Sequence, residues 1–378
     1  MSMNMNERTK QLYELFQKKR WTIGLPEDTV FSNENDIFHD SPLALGRDNE
    51  GILWAIPGHC HMGHVGMFSG DNIFNMKEKY PVNYQFQWGT AGPAYNGSYY
   101  PDGMRSRGSL WPMGLYVHPE TGWFYCFFHN ETTSRGFIDT SYSCYGDTVN
   151  SPPFRHIGLM VSEDQGKNFR FFKWIITSDK PSCTDLYMPD GVTKCQPSGV
   201  VSLGTGDFSV FQDRRGGYIY LTFTEHFFNM DTQEIDVTKA YIARSKIDED
   251  GSFGPFYKLH DGKFNTPGNK GAATPIVTDA IEPYIVYYEP ENCYLMFSAR
   301  GTDFEAGKPC LQISVSDDMY HWSPTILLAP DRDDLVLPYN SVSNNDTSGP
   351  YNYIGNEFSL LSCHNGTDMK RFAVKIED

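Results

Sequence analysis

Short runs of alternating polar and apolar residues, each interrupted by a turn-forming cluster, recur along this chain. Five units stand out. They are HDSPLALGRDNEGILWAI (His39–Ile56), LWPMGLYVHPETGWFYCFFHNE (Leu110–Glu131), GDFSVFQDRRGGYIYLTFTEH (Gly206–His226), EPYIVYYEPENCYLMFSARG (Glu282–Gly301) and, with a weaker pattern, YNYIGNEFSLLSCHNG (Tyr351–Gly366). Period-two alternation of Val, Ile, Tyr and Phe predicts half-buried strands. The clusters DNEG, PETG, DRRGG and EPEN between paired runs predict hairpin turns. In each unit a polar or small residue opens the first strand, and a third strand is expected later, ending in a short Ser-Asp segment. The openings fall near Asp40, Trp111, Asp207, Glu282 and Tyr351, at intervals of 71, 96, 75 and 69 residues.

Five units of roughly 70 residues match four-stranded blades carrying loop insertions. The pattern therefore predicts an all-β, five-bladed β-propeller. The long second interval holds the Gly-, Ser- and Tyr-rich stretch Gly136–Pro153. A β-sandwich, or two β domains, is the competing architecture. Residues 1–30 read as an N-terminal helix and lead-in, with Leu12, Leu15 and Phe16 on one helix side, and residues 31–378 as a single propeller domain. Pro- and Gly-rich stretches at 150–153 and 265–271 read as surface loops, because strands resume directly after both.

Composition strengthens this reading. The chain has 23 Tyr, 26 Phe and 7 Trp beside 34 Gly and 23 Pro, which suits aromatic strands joined by tight turns. A net charge of -16 repels phosphate backbones and anionic membrane surfaces, so neither nucleic acid nor membrane is the expected partner. Neutral sugars are indifferent to that field. No run of about 18 apolar residues and no signal-peptide pattern occurs, so the chain as written is expected to be cytoplasmic, or secreted if a signal preceded it. Eight cysteines contain no C-x-x-C pair, which argues against a thiolate zinc site. Cys126 and Cys293 sit inside apolar strands and are expected to be buried. Cys183 and Cys195 flank a loop and could pair in an oxidising compartment.

Two segments that end predicted third strands carry a family likeness. Ser162-Glu-Asp-Gln-Gly-Lys-Asn-Phe169 resembles the Asp-box of sialidase-type propellers, in which Ser and Asp bond the turn backbone and the aromatic plugs the apolar layer. Ser316-Asp-Asp-Met-Tyr-His-Trp322 resembles the S-x-D-x-x-x-W segment of arabinanase- and invertase-type glycosidases. Together with the blade plan over roughly residues 31–378, the chain resembles the five-bladed propeller glycosidases: glycoside hydrolase families 32, 43 and 68 and their mannoside-phosphorylase and anhydrogalactosidase relatives. It lacks the invertase W-x-N-D-P-N, whose nearest counterpart is Asn33–Asp36 with Asp40, and it lacks the sialidase F-R-I-P.

Innermost strands of a propeller converge on one funnel, so the first residues of each strand face a shared cavity. Glycoside hydrolysis needs two carboxyl groups across the scissile bond, one to protonate the leaving oxygen and one to activate water or attack carbon. The openings supply Asp40 (FHDSP), Asp207 (GTGDFSV) and Glu282 (AIEPYIV). The resemblance implies Asp40 as base or nucleophile, Glu282 as general acid and Asp207 as the residue that tunes it. Each has a plainer reading as the cap of a strand or turn. Asp36, Glu131 and Glu225 are reserves. The last two end second strands beside His129 and His226.

Further residues are expected to contact substrate. Trp111 opens an inner strand and could stack on a sugar face. Trp88, Tyr99, Tyr100 and Tyr351 are further aromatic candidates. His226 and Arg300 end second strands, and Arg300 could hold a carboxylated sugar, with Arg105 and Arg107 behind it. Gly58-His-Cys-His-Met-Gly-His64 places His59, His61 and His64 together. Their spacing matches no strong zinc signature, so a substrate or structural role is expected and no cofactor is required, a bound metal being the alternative. The expected function is therefore a glycoside hydrolase acting on an oligo- or polysaccharide. Two other classes compete with it. One is a propeller lyase that uses His and Tyr on a uronate, and the other a non-catalytic carbohydrate-binding propeller. No Walker loop, G-x-S-x-G or H-E-x-x-H is present.

Overall fold

The computed structural model describes residues 5–57, 64–84, 109–132, 154–180, 199–229, 231–232, 234–332, 334–347, 349–364 and 367–378. They form a five-bladed β-propeller. Blade 1 runs outward through Ala44–Arg47, Leu53–Ile56, Gly66–Gly70 and Lys77–Pro81. Blade 2 runs through Ser109–Val117, Phe124–Thr132, Phe154–Ser162 and Asn168–Ile176. Blade 3 begins with the long hairpin Val200–Asp213 and Tyr218–Asn229 and continues through Lys239–Lys246, Tyr257–His260 and Lys263–Pro267. Blade 4 comprises Ile281–Tyr288, Cys293–Ala299, Leu311–Ser316 and Ile326–Leu327. Neighbours within these blades pair antiparallel, as the predicted hairpins require.

The fifth blade departs from expectation. Its innermost strand is Ser341–Asn344, which pairs with Glu357–His364 and through it with Asp368–Glu377. Tyr351 does not open the blade. Tyr353–Ile354 pairs in parallel with the inner strand of blade 4, and the Tyr351 hydroxyl donates to Leu45 O in blade 1 at 3.0 Å. Ser341–Asn344 (SVSN) carries one apolar residue in four, so hydrophobic alternation could not reveal it. Its antiparallel ladder with Glu357–His364 makes it a strand nonetheless. Within the span read as lead-in, Arg20–Ile23 forms the outermost strand of this blade, pairing Arg20 with Glu377 through Ile23 with Val374. The first and last strands of the chain thus share one sheet and shut the ring.

The hub is narrow. An added Cβ on Gly46 would lie 2.8 Å from Leu115 O of blade 2, and one on Gly114 would lie 2.1 Å from Val210 Cγ2 of blade 3. Both glycines occupy innermost strands, where the next blade approaches closely, with its backbone at Gly46 and with the Val210 side chain at Gly114. Outside the hub, apolar clusters fill the gaps between neighbouring blades. Trp54 and Phe124 meet between blades 1 and 2, Phe127 and Phe256 between 2 and 3, and Phe211 and Tyr294 between 3 and 4. Leu45 of blade 1 and Leu361 of blade 5 belong to one apolar cluster between those blades. Full burial of a side chain of this size contributes about 1.5–3 kcal/mol, so the interfaces between sheets, rather than the sheets alone, hold the ring.

The N-terminal helix Glu7–Phe16 is capped by Asn6, whose Oδ1 accepts from Thr9 N at 2.8 Å. Its buried stripe of Thr9, Leu12 and Phe16 packs on blades 4 and 5, and Phe16 meets the Tyr288 ring edge-on at 5.5 Å. Thr9 Oγ1 donates to Asp317 Oδ1 at 2.7 Å, tying the helix to the turn after the third strand of blade 4. That turn and its counterpart in blade 2 share one hydrogen-bond plan. Ser162 Oγ accepts from Gly166 N at 2.8 Å and Asp164 Oδ1 accepts from Asn168 N at 2.9 Å, while Phe169 is fully buried. Ser316 Oγ accepts from Met319 N at 3.0 Å and Asp318 Oδ1 from Tyr320 N and His321 N, both at 2.8 Å, beside buried Trp322. No helix among the described residues is long and apolar enough to cross a membrane.

Phe16→Ala should lower stability by about 3–5 kcal/mol, the usual cost of emptying a buried aromatic site. An unchanged guanidinium unfolding midpoint would show that the helix is not part of the cooperative fold.

Candidate active site

Glu282 and Asp207 occupy equivalent places in adjacent blades, each at a bulge in an innermost strand. Along blade 3 the register runs Gly206 to Thr224 and then Ser209 to Thr222, so Asp207 and Phe208 together oppose one residue of the second strand. Along blade 4 it runs Ile281 to Ala299 and then Tyr284 to Phe297, so Glu282 and Pro283 do the same. Asp207 (φ 45°) and Glu282 (φ 54°) both adopt left-handed backbone. Such a conformation costs a non-glycine residue about 1–3 kcal/mol, and the bulge re-aims its side chain relative to strict alternation. The two hairpins are stitched together beside the bulges. Thr224 Oγ1 accepts from Glu282 N at 3.4 Å, Thr222 Oγ1 donates to Pro283 O at 3.2 Å, and Ser209 and Thr222 share a bond of 2.8 Å.

Glu282 is 8% exposed, and its carboxyl is held well above the usual range. Burial is the main cause and the Asp207 charge the next. The Tyr339 N–H, which donates to Oε2 at 2.8 Å, opposes them, and Asp40 adds a further push upward. Buried Cys363, on the second strand of blade 5, is raised first by burial and then by Asp40 and Glu282. Its Sγ lies 3.9 Å from Ser41 O. Asp207 of blade 3 and Asp40 ahead of blade 1 are therefore near enough for their charges to act on Glu282 of blade 4. Their settings differ: Asp40 is exposed, the Asp207 side chain is 14% exposed, and Glu282 is buried.

Asp207 lies between two histidines. Its backbone N–H donates to His129 Nδ1 at 3.1 Å, and its Oδ2 lies 3.1 Å from His226 Nε2. His129 and His226 are 2% and 7% exposed. The sequence singles out His129 only as the neighbour of a reserve acid and His226 as a substrate contact; the structure turns His226 toward Asp207 instead, an aim that no local signal in the sequence shows. Trp111 is 7% exposed and meets the His129 ring edge-on at 5.3 Å.

Other expected site residues are engaged elsewhere. Arg300 Nε lies 3.3 Å from Asp279 Oδ2, and its Nη1 donates to Asp303 Oδ2 at 3.3 Å. His64 Nε2 lies 2.7 Å from Glu78 Oε1 on the outermost strand of blade 1, and its N–H donates to Asp36 O at 2.6 Å. The reserve Glu225 is buried against Lys258 at 3.0 Å, and Lys258 Nζ also donates to Thr177 O and Gly271 O at 2.8 and 2.9 Å. All three ammonium protons are thereby satisfied, as a buried charge requires. His59, His61, Trp88, Tyr99 and Tyr100 lie outside the described residues, as do Arg105, Arg107, Cys183, Cys195 and the side chain of Glu131.

The raised Glu282 carboxyl makes stability depend on pH. Above its ordinary value of 4.5 the unfolded chain releases this proton while the native state keeps it, so native stability falls as pH rises through that window. Glu282→Gln removes the penalty. The variant should match wild type near pH 4 and unfold at higher denaturant near pH 8. Equal midpoints at both pH values would show that the carboxyl is not held up.

No family model and no curated protein matches the chain. Several solved structures are similar to it at low identity. One is an α-L-arabinofuranosidase from Podospora anserina in complex with cellotriose, 10% identical over 96% of this chain and 98% of that one, at a TM-score of 0.46. An endo-1,5-α-L-arabinanase from Thermotoga petrophila is 14% identical over 93% of this chain and 72% of that one, at 0.47. The catalytic domain of a GH62 α-L-arabinofuranosidase from Coprinopsis cinerea is 10% identical over 95% and 98%, at 0.44.

Proposed function

We propose that this protein is a glycoside hydrolase that cleaves an oligo- or polysaccharide at the propeller hub. Glu282 is the general acid, Asp40 the base or nucleophile, and Asp207 the carboxylate that tunes Glu282. The observation that carries this reading is the contrast between interacting acids: one is buried and driven to keep its proton, another is open to water. Enzymes that run acid and base chemistry together at neutral pH need this divergence, and environment supplies it.

The chemistry follows from the settings. Glu282, whose carboxyl is pushed upward by burial and the Asp207 charge, gives its proton to the glycosidic oxygen as the bond to the anomeric carbon breaks and positive charge grows on the sugar. Asp40 either deprotonates the attacking water or adds to that carbon. The nearby negative charges stabilise the oxocarbenium-like transition state. Once Glu282 has given up its proton, its carboxylate is buried beside Asp207, so proton recapture is favoured and the acid resets. Backbone strain at Glu282 and Asp207 accords with a site built for chemistry rather than for stability.

The test is turnover of 4-nitrophenyl glycosides of the common pentoses and hexoses, in both anomeric forms, and of the matching oligosaccharides. Wild type is compared with Asp40→Asn, Asp207→Asn and Glu282→Gln. Each substitution should lower kcat by about 10²–10⁴, the range expected for general acid–base groups, with folding retained. Full activity in Asp40→Asn and Glu282→Gln, or no turnover by wild type across the panel, would overturn the assignment.

A further inference from the structure

Asp207 is gripped at two different atoms, by histidines from two blades. His129 belongs to the second strand of blade 2, Phe124–Thr132, and its Nδ1 accepts the Asp207 backbone N–H at 3.1 Å. A neutral ring nitrogen that accepts carries no proton, so the ring proton sits on Nε2. The His129 Nδ1 to Asp207 Oδ1 approach of 3.3 Å is then a close contact and not a second hydrogen bond. His226 belongs to the second strand of blade 3, Tyr218–Asn229, and its Nε2 lies 3.1 Å from Asp207 Oδ2. A carboxylate only accepts, so this Nε2 carries the proton. One histidine therefore holds the backbone of the bulge, and the other holds the carboxylate.

We propose that His129 and His226 are positioning residues that fix Asp207 in place, His129 by pinning its left-handed backbone and His226 by fixing the carboxylate rotamer. This rests on the glycosidase reading. The bulge needs such a pin, because a non-glycine residue at φ 45° relaxes unless its surroundings over-determine it. The rotamer needs one as well, because Asp207 acts on Glu282 through its charge, and that influence changes with every ångström of separation. Trp111, packed on the His129 ring at 5.3 Å, backs the first pin. Neither histidine touches the sugar in this scheme. They set where the tuning charge stands, and hence how well Glu282 delivers its proton.

Acid assistance matters most when the leaving group is poor, and this makes the inference testable. Each variant is assayed on two substrates that share the glycone wild type accepts, a 2,4-dinitrophenyl glycoside and a methyl glycoside. His226→Leu should lower kcat about 10–100-fold on the methyl glycoside, within the span of acid catalysis, and less than about threefold on the dinitrophenyl glycoside, with KM nearly unchanged. His226→Gln, whose amide N–H stands close to Nε2, should restore both rates to within about threefold. His226→Asn, one methylene shorter, should not, and the Gln–Asn pair decides the matter if His226→Leu fails to fold. His129→Asn, which offers an acceptor near Nδ1, should outperform His129→Leu in the same way.

Equal losses on both substrates, a raised KM with kcat intact, or no rescue by Gln would overturn the inference. Failure of the parent reading looks different: wild type is inactive, or Asp207→Asn keeps full activity, and the positioning role falls with it. If Asp207→Asn and Glu282→Gln are impaired while His226→Leu matches wild type, only the positioning role is wrong.

Discussion

Acids from blades 1, 3 and 4 can act as one group only if the ring of sheets is shut. Between blades the ladders touch at short parallel bridges, such as Gly204 with Arg155 and Tyr353–Ile354 with the inner strand of blade 4, so the cohesion there is mostly side-chain packing, which resists sliding less specifically than hydrogen bonds do. Closure comes from Arg20–Ile23 pairing with Asp368–Glu377, which makes blade 5 a joint product of both ends of the chain. The N-terminal helix adds weight at the same place by filling the apolar space against blades 4 and 5. Opening that seam would free blade 1 from blade 5, and with it the relation of Asp40 to Glu282. A contact remote from any acid is thus the condition for their interaction.

Within the closed ring, the candidate site is held at local cost. Two of its acids sit on left-handed backbone at bulges, and Tyr339, whose N–H meets Glu282, is left-handed too at φ 53°. A buried carboxyl pushed to hold its proton is a further cost at neutral pH. The apolar packing between blades offsets these terms, which accords with the general trade between stability and activity. The bulges also explain how two adjacent blades aim acids at one place. Each inserts a residue at the same level of its strand, and the Thr222–Thr224 segment bonds across to the Glu282–Pro283 backbone, so the two distortions brace one another.

Much of the site was visible in one dimension. Asp207 and Glu282 are polar residues beside strongly apolar stretches, an arrangement that asks for a reason, and Asp40 precedes the first such stretch; the structure extends the Asp207 strand back to Val200, so Asp207 sits within it rather than at its opening. What alternation could not show was the bulge, because a bulge is a mismatch between two strands and is not written in either. The histidine grip on Asp207 was hidden for a similar reason. His129 lies 78 residues away in another blade, and only the juxtaposition of blades 2 and 3 gives its Nδ1 anything to hold. Glu225 shows the converse. It looked like a reserve catalytic acid and is instead satisfied by Lys258 in the core.

By itself, the order of residues determined four hairpins, the turns between them and the repeat that makes a propeller, and it offered Asp40, Asp207 and Glu282 as candidates. These are local properties, set by period-two burial and by turn chemistry within a few residues. The tertiary structure alone decided that Ser341–Asn344 is a strand, that the two ends of the chain share a sheet, and that burial with the Asp207 and Asp40 charges pushes the Glu282 carboxyl upward. Those outcomes depend on burial and charge summed over residues hundreds of positions apart, and such sums exist only once the chain is folded.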